Sequence, residues 1–330
     1  MIEKKSRRII RTAGIILFIV LFVFLSLFGW RSGSKMDMIS AGINPDLPVN
    51  LKKHVQMLSD EIGDRNIDKY ESLLKAQEYI REFFSKLPLE VELQKYAVTK
   101  IEVNNIIATK KGSSESDEII VVGAHYDSCY TPGADDNASG VAGLLEIAET
   151  LSKEQTQRTI KFIAFVNEEP PFFKTEDMGS IIYARDAKKR GEKIKLAVIL
   201  EMLGYFTDKP FSQKYPPFLG PFYPNRGNFV AVVGNFSSRH FVKGFINDFK
   251  SATSLPIESL SIAGIIPGAD LSDHWSFWKT GYPAIMVTDT AFFRNWNYHR
   301  HTDRYDTLDY EKMAHVVEGV KASLRKLAQL

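Results

Sequence analysis

The chain holds a single cysteine, Cys129, so no intrachain disulfide and no zinc–thiolate cluster can form. This leaves the redox compartment open, since an extracytoplasmic protein can lack disulfides altogether. Past residue 35 the longest basic run is the three residues Lys188–Arg190, and the formal charge of +2 conceals an acidic balance there. Residues 1–35 carry seven basic residues and one acid; the remainder sets 35 Lys and Arg against 39 Asp and Glu, about −4. A nucleic-acid binder needs a basic surface to displace counterions, so neither DNA nor RNA is expected as a partner. Internal repeats and low-complexity tracts are also absent. With 44% apolar residues, 330 positions can build one large domain or two ordinary ones.

One long hydrophobic run is present. Residues 13–30 (AGIILFIVLFVFLSLFGW) are 18 residues without charge, close to the ~20 that a bilayer core requires. Five basic residues precede them, which places a tail of residues 1–12 in the cytoplasm and the rest outside. A cleaved signal peptide is the alternative, but the run exceeds the usual 7–15 residues and no clear A-x-A site follows. The expectation is a single-pass signal anchor, a linker over 31–50, and an extracytoplasmic or periplasmic domain over 51–330.

From Leu51 to about Leu87 the spacing predicts helices. Leu51, Val55 and Leu58 share one face, and Leu73, Leu74, Ala76, Tyr79, Ile80 and Phe83 another. Val91–Ala97 and Val103–Thr109 are expected strands. Four apolar runs, Ile119–Val122, Ile160–Val166, Leu196–Leu200 and Ala284–Val287, have the character of strands buried on both faces in a largely parallel sheet. Val141, Leu144, Leu145, Ala148 and Leu151 define an amphipathic helix between the first two. Further helices are expected near 177–190, 237–252 and 309–328. The alternation argues for one α/β domain with helices on both faces of a mixed, mostly parallel sheet.

The chemistry gathers where those runs end. His125 leaves the first strand in GAHYDS, and Asp127 is placed to take its second ring N–H. GADDNASG follows; two acids before a helix are ordinarily capping and first-turn charges, but with His125 eleven residues earlier one of them could instead bridge two cations. Glu168 and Glu169 in FVNEEPP stand at the exit of a run that should be buried, where a charge is costly unless paired or metal-bound. Glu201 repeats the situation in VILEMLGY. His299 and His301 are alternatives near the C-terminus, and His274 in SDHW competes with them. His54, His240 and His315 sit in amphipathic helical stretches and are expected in the core or on the surface. Together His125, Asp136, Glu169, Glu201 and His299 make a two-histidine, three-carboxylate set that suits two zinc ions, with Glu168 at hand as a general base. No single one of these signals would carry that conclusion.

HYDS, GADDNASG, NEE with MGS-x-x-YA, LEMLGY, SDHWSFWKTGYPAIM and YH-x-x-x-D-x-x-DTL occur in the order seen in the co-catalytic zinc exopeptidases. The chain thus resembles the family of the secreted bacterial leucyl aminopeptidases, related to glutamate carboxypeptidase, glutaminyl cyclase and the transferrin receptor ectodomain, from roughly Leu51 onward. The resemblance implies a single zinc-exopeptidase domain of the phosphorylase/hydrolase-like α/β kind. By position it implies Asp136 as bridging ligand, His125 and Glu201 completing one zinc site, and Glu169 and His299 the other. It also implies Glu168 as general base. His299 is preferred over His301 because Asp303 follows it by four. Glu201 stands where secreted members often carry aspartate. Two departures stand out: Glu-Glu-Pro-Pro-Phe-Phe replaces the usual Glu-Glu-x-Gly-Leu, and the tyrosine upstream of Ser272-Asp273 that stabilises the intermediate in some members is absent. Tyr298 is similar to the tyrosine that does this in others.

The implied reaction is release of N-terminal residues from peptides. Within the same resemblance stand a one-zinc glutaminyl-cyclase-like acyltransferase and a carboxypeptidase, the latter needing a basic cluster that Arg226, Arg294 and Arg300 would have to supply. A receptor that keeps the fold without metals has no reason to hold the whole ligand set. Residues 205–229, with five prolines and eight aromatics, are expected as a stiff loop over the sheet or as a pocket wall, with Pro170–Phe173 as its possible neighbour.

Overall fold

A computed structural model describes residues 43–261, 266 and 268–329. The expected tail, the 13–30 anchor and most of the 31–50 linker lie outside the described residues. Among the described residues no helix is long and apolar enough to cross a membrane.

The four apolar runs form the middle of an eight-stranded sheet. They lie within β3 (Glu115–His125), β4 (Arg158–Phe165), β5 (Lys193–Glu201) and β8 (Ala284–Thr288), side by side in the order β4-β3-β5-β8 and all parallel. Their near-continuous burial requires cover on both faces, and the alternation of side chains divides that cover. Ile120, Val122, Val198 and Leu200 enter the larger core, while Val121, Ile163, Ala197 and Ile199 enter the smaller one.

The larger core is closed by α1 (Leu47–Gln56), α2 (Tyr70–Ser85), α3 (Gly140–Ser152), α5 (Arg239–Ala252) and α7 (Tyr310–Leu327). The smaller is closed by α4 (Gly179–Lys189) and α6 (His274–Thr280). Helix α1 begins four residues before the expected helical pattern, because Leu47 is already buried. Leu74 departs from expectation too. The face of α2 that meets the core is Leu73, Ala76, Ile80 and Phe84, which leaves Leu74 exposed.

Two strands pass unnoticed in the sequence: β6 (Val230–Gly234), antiparallel to β8, and the edge strand β7 (Ile257–Leu260), parallel to β6. Both are at most five residues long, too short for a periodicity to register. At the opposite edge β1 (Glu90–Val98) pairs antiparallel with β2 (Ile101–Lys110), which joins β4 antiparallel. The outer strand β1 carries Glu90, Glu92 and Lys95, charges that discourage edge-to-edge pairing. The parallel strands therefore all end on one side of the sheet, and loops leaving them converge there.

Candidate metal centre

His125 is the last residue of β3 and Glu201 the last of β5; Glu168 and Glu169 follow β4, and His299 lies in the segment after β8. Loop contacts bring them to one point. Asp127 receives the backbone N–H groups of Glu168 (3.2 Å) and Glu169 (3.0 Å), and its Oδ1 lies 3.5 Å from His125 Nδ1. One carboxylate therefore fixes three residues of the cluster, more than the single histidine contact expected of it. The Asp136 N–H donates to Asp303 (3.1 Å). Asn137, joined to Asp136 by a cis peptide, donates to the Leu200 carbonyl and accepts from Met202 N–H, tying this turn to the end of β5. Gly133 turns the chain at φ +58°, where a Cβ would stand 2.4 Å from the Asp136 carbonyl.

The two acids of the Asp-Asp pair part company. Asp135 accepts from Gly204 N–H (2.9 Å), Ser139 Oγ (3.1 Å) and Asn295 Nδ2 (2.7 Å), so its carboxylate is occupied in holding loops together. Asp136 faces outward from that network. Its Oδ1 lies 3.4 Å from His125 Nε2, which is itself 3.4 Å from Glu201 Oε2. Its Oδ2 lies 3.1 Å from His299 Nε2, which is 3.1 Å from Glu169 Oε2. The two oxygens of one carboxylate thus each meet a separate histidine–glutamate pair. Glu168 Oε2 is 3.8 Å from His125 Nε2, beside both pairs.

These residues fit metal ions. His125 Nε2, Asp136 Oδ2, Glu169 Oε1 and His299 Nε2 are buried without a hydrogen-bond partner, a costly state for polar atoms. Two ligand atoms about 2.05 Å from one tetrahedral zinc stand roughly 3.3 Å apart, close to the separations found here. The charges agree. Burial raises Glu168 and Glu169 well above the usual carboxylate range, and neighbouring carboxylates add to it; Glu201 is also raised, with burial as the leading cause. Asp136 is lowered in spite of its burial, because His125 and His299 hold it ionised. Crowded buried carboxylates of this kind are relieved by cations.

Other expected candidates lie elsewhere. His301 is exposed. His274 is buried with Nε2 3.1 Å from the Ala269 carbonyl, and burial pushes it down to about 4, so it stays neutral. His54 is buried against Tyr79 and Glu146, and His315 meets Thr253. Tyr298 stacks on His299 with ring centroids 3.8 Å apart. Burial, then the nearby carboxylates, raise its hydroxyl so far that it remains a donor.

Three supporting residues escaped the sequence. Ser272 Oγ donates to Glu201 (2.7 Å). Asp273 is fully buried and raised to about 7, first by burial. Arg65, also fully buried, spends its guanidinium on five backbone carbonyls around the loop that follows β3. The SDHW motif was a usable signal for the first two; nothing local marks Arg65.

A cavity of about 110 Å³ opens beside Glu201 and Tyr298, walled by Tyr215, Leu219, Phe229, Met286 and Phe293 among others. The 205–229 segment is therefore a pocket wall. Pro170–Phe173 are not part of it; Phe172 packs on the larger core. Arg294 is buried under the wall, donating to Gln213 and the Phe229 carbonyl, while Arg226 and Arg300 are exposed. Lys214 is the sole basic residue among the described lining.

Residues 105–324 match the model of peptidase family M28. An uncharacterised protein, YfbL, of Escherichia coli (strain K12) is 39% identical over 313 residues, covering 92% of this chain and 95% of that protein. A probable leucine aminopeptidase 1 of Trichophyton verrucosum is 29% identical over 235 residues, 66% of this chain; the match spans 55% of that protein's length. Among solved structures, a zinc aminopeptidase from Bacillus subtilis shares the fold with a TM-score of 0.70 at 16% identity, covering 86% of this chain and 95% of the other. The chain belongs to peptidase family M28 and is a zinc metallopeptidase.

Proposed function

We propose that this M28 peptidase is a two-zinc aminopeptidase that releases apolar residues from peptide N-termini. The observation that carries the reading is Asp136, whose two oxygens face two separate histidine–glutamate pairs. In this reading His125, Glu201 and Asp136 would hold one zinc, and His299, Glu169 and the same Asp136 would hold the other. Bound zinc supplies Lewis-acid polarisation of a carbonyl and lowers the proton affinity of water at the site.

Glu168 takes the proton of the attacking water and delivers it to the departing amine. Its burial favours the protonated form, which suits a group that must accept and then return a proton near neutral pH. Asp127 acts through position, keeping the His125 ring and the Glu168–Glu169 backbone in register. The Tyr298 hydroxyl, held in its donor form, stabilises the developing oxyanion. The aromatic and aliphatic pocket beside Glu201 receives the side chain of the N-terminal residue. With Lys214 alone for positive charge, it lacks the cluster that a carboxypeptidase for acidic C-termini would need. The 18-residue apolar run at 13–30, preceded by five basic residues, supports anchoring in a membrane with this domain extracytoplasmic over 51–330.

The test combines elemental analysis with a panel of aminoacyl-nitroanilides on wild type and Glu168→Gln. Two zinc ions in both proteins, with hydrolysis of leucyl or phenylalanyl substrates reduced roughly 10²–10⁴-fold in the variant, is the expected result. One zinc and cyclisation of N-terminal glutamine would replace it with the cyclase reading. Metal-free, inactive protein would remove both.

A further inference from the structure

Beyond the five residues above and Glu168, a sulfur side chain able to bind a metal also reaches the cluster. A ligand atom each of Cys129, Glu169 and His299 lies within 4.8 Å of the other two. Cys129 is held there by a braced loop. Ser128 Oγ donates to the Thr131 carbonyl and accepts from Arg65 N–H, while the Arg65 guanidinium binds the Tyr126, Pro132 and Gly133 carbonyls on either side. Its two neighbours carry unsatisfied atoms: Glu169 Oε1 and His299 Nε2 are buried without a hydrogen-bond partner, as is Oδ2 of Asp136, which lies 3.1 Å from His299 Nε2.

We propose that Cys129 is a further protein ligand of the metal held by Glu169, His299 and Asp136, an inference that rests on the metal reading above. Loading this subsite would release the thiol proton to solvent and leave a thiolate on the ion. The donor set then becomes one imidazole, two carboxylates and one soft sulfur, which favours zinc or cadmium over magnesium or manganese. Among the described clusters the pair formed by His125 and Glu201 has no sulfur partner; its further neighbour is Glu168, which the reading above keeps as the proton acceptor. Four protein donors complete a tetrahedral zinc, whereas three leave a position open. The two subsites therefore differ: the one with sulfur holds its metal firmly, and the other keeps the vacant position that water or a substrate carbonyl requires.

Cys129 is the sole cysteine, so its signals carry no ambiguity. Metal-free full-length protein, wild type and the variants Cys129→Ser and Cys129→Ala, is titrated with cobalt(II) and followed by absorption. The expected result is a near-ultraviolet thiolate-to-cobalt charge-transfer band in wild type only, while visible d–d bands persist in the variants and show that they still bind metal. With zinc, release of one of two ions to a chelator should be roughly ten-fold or more faster in the variants. Zinc should also shield Cys129 from iodoacetamide. Cobalt-loaded wild type with d–d bands but no charge-transfer band would overturn the role of Cys129 and leave the two-metal reading intact. Wild type that binds no cobalt would overturn both. The wild-type spectrum decides the matter even where a variant does not fold.

Discussion

Arg65 offers the sharpest test of how the centre is supported. Its guanidinium makes five hydrogen bonds of 2.7–3.0 Å, all to backbone carbonyls: Tyr126, Leu58, Gly63, Pro132 and Gly133. The side chain is fully buried, and burial lowers it to about 10, against the opposing pull of Asp127 and Asp303, so it remains charged. In Arg65→Met the Leu58 carbonyl keeps Gly63 N–H and the Gly133 carbonyl keeps Ala138 N–H. All five carbonyls lose their guanidinium bond, and those of Tyr126, Gly63 and Pro132 are left without another partner. At about 1–3 kcal/mol for each buried group left without a partner, the gross cost is roughly 3–9 kcal/mol. Relief from burying a charge returns several kcal/mol, so the net loss expected is about 3–5 kcal/mol. Arg65→Lys keeps the charge but cannot span five acceptors, and should lose about half as much. Equilibrium urea unfolding followed by tryptophan fluorescence, with and without zinc, measures both. Because the loop after β3 carries Asp127, zinc affinity should also fall by about 10–100-fold. A loss below about 1 kcal/mol with unchanged zinc affinity would refute the view that Arg65 braces the centre.

Three further predictions concern the scaffold and the pocket. Gly319→Ala would ordinarily favour helix α7 by about 1 kcal/mol, but its Cβ would stand 2.2 Å from the Phe249 ring, so a net destabilisation of about 1–2 kcal/mol is expected. A higher melting temperature would contradict that packing argument. Ala231 lines the apolar cavity, and Ala231→Phe should shift kcat/KM roughly ten-fold from leucyl toward alanyl substrates. An unchanged ratio would place side-chain selection elsewhere. Glu192 lies 2.9 Å from both Lys161 and Arg190; burial opposes its charge, yet these partners leave its carboxyl lowered. A lowered carboxylate adds stability above its unfolded pKa and loses it as pH falls through the folded value. Glu192→Gln should thus cost about 1 kcal/mol at pH 7, with the gap to wild type narrowing as pH falls below the usual carboxylate range; a gap independent of pH would exclude this ion pair as its source.

Much of the architecture was legible because it follows from burial. Runs such as Ile160–Val166 and Leu196–Leu200 have only one way to hide both faces, and they became parallel strands on either side of β3. Glu169 and Glu201 were conspicuous for the same reason, as charges at the exits of segments that had to be inside. Strands β6 and β7 were not legible, being short and flanked by proline-rich or polar sequence. Leu74 was misplaced because an i, i+1 pair of leucines cannot show which of the two faces the core. The pocket wall was one of two readings of residues 205–229, and proline and aromatic content, which describes stiffness but not what a loop covers, could not choose between them.

By itself the sequence determined which segments are buried and which residue types stand at their ends, because hydrophobic periodicity and the cost of an unpaired buried charge act locally along the chain. Only the tertiary structure decided which side chains meet. The division of labour between Asp135 and Asp136 is set by Asn295 and by Asp303, 160 and 168 residues from Asp135. The choice between His299 and His301 is set by the path of the segment after β8, where His299 stands at φ +55° with Nε2 3.1 Å from Asp136 and His301 is exposed. Cys129, ordinary in the sequence, stands within ligand distance of Glu169 and His299 because Arg65 braces its loop. Such contacts depend on ångström-scale positions fixed by hydrogen bonds between distant parts of the chain, and no local pattern encodes them.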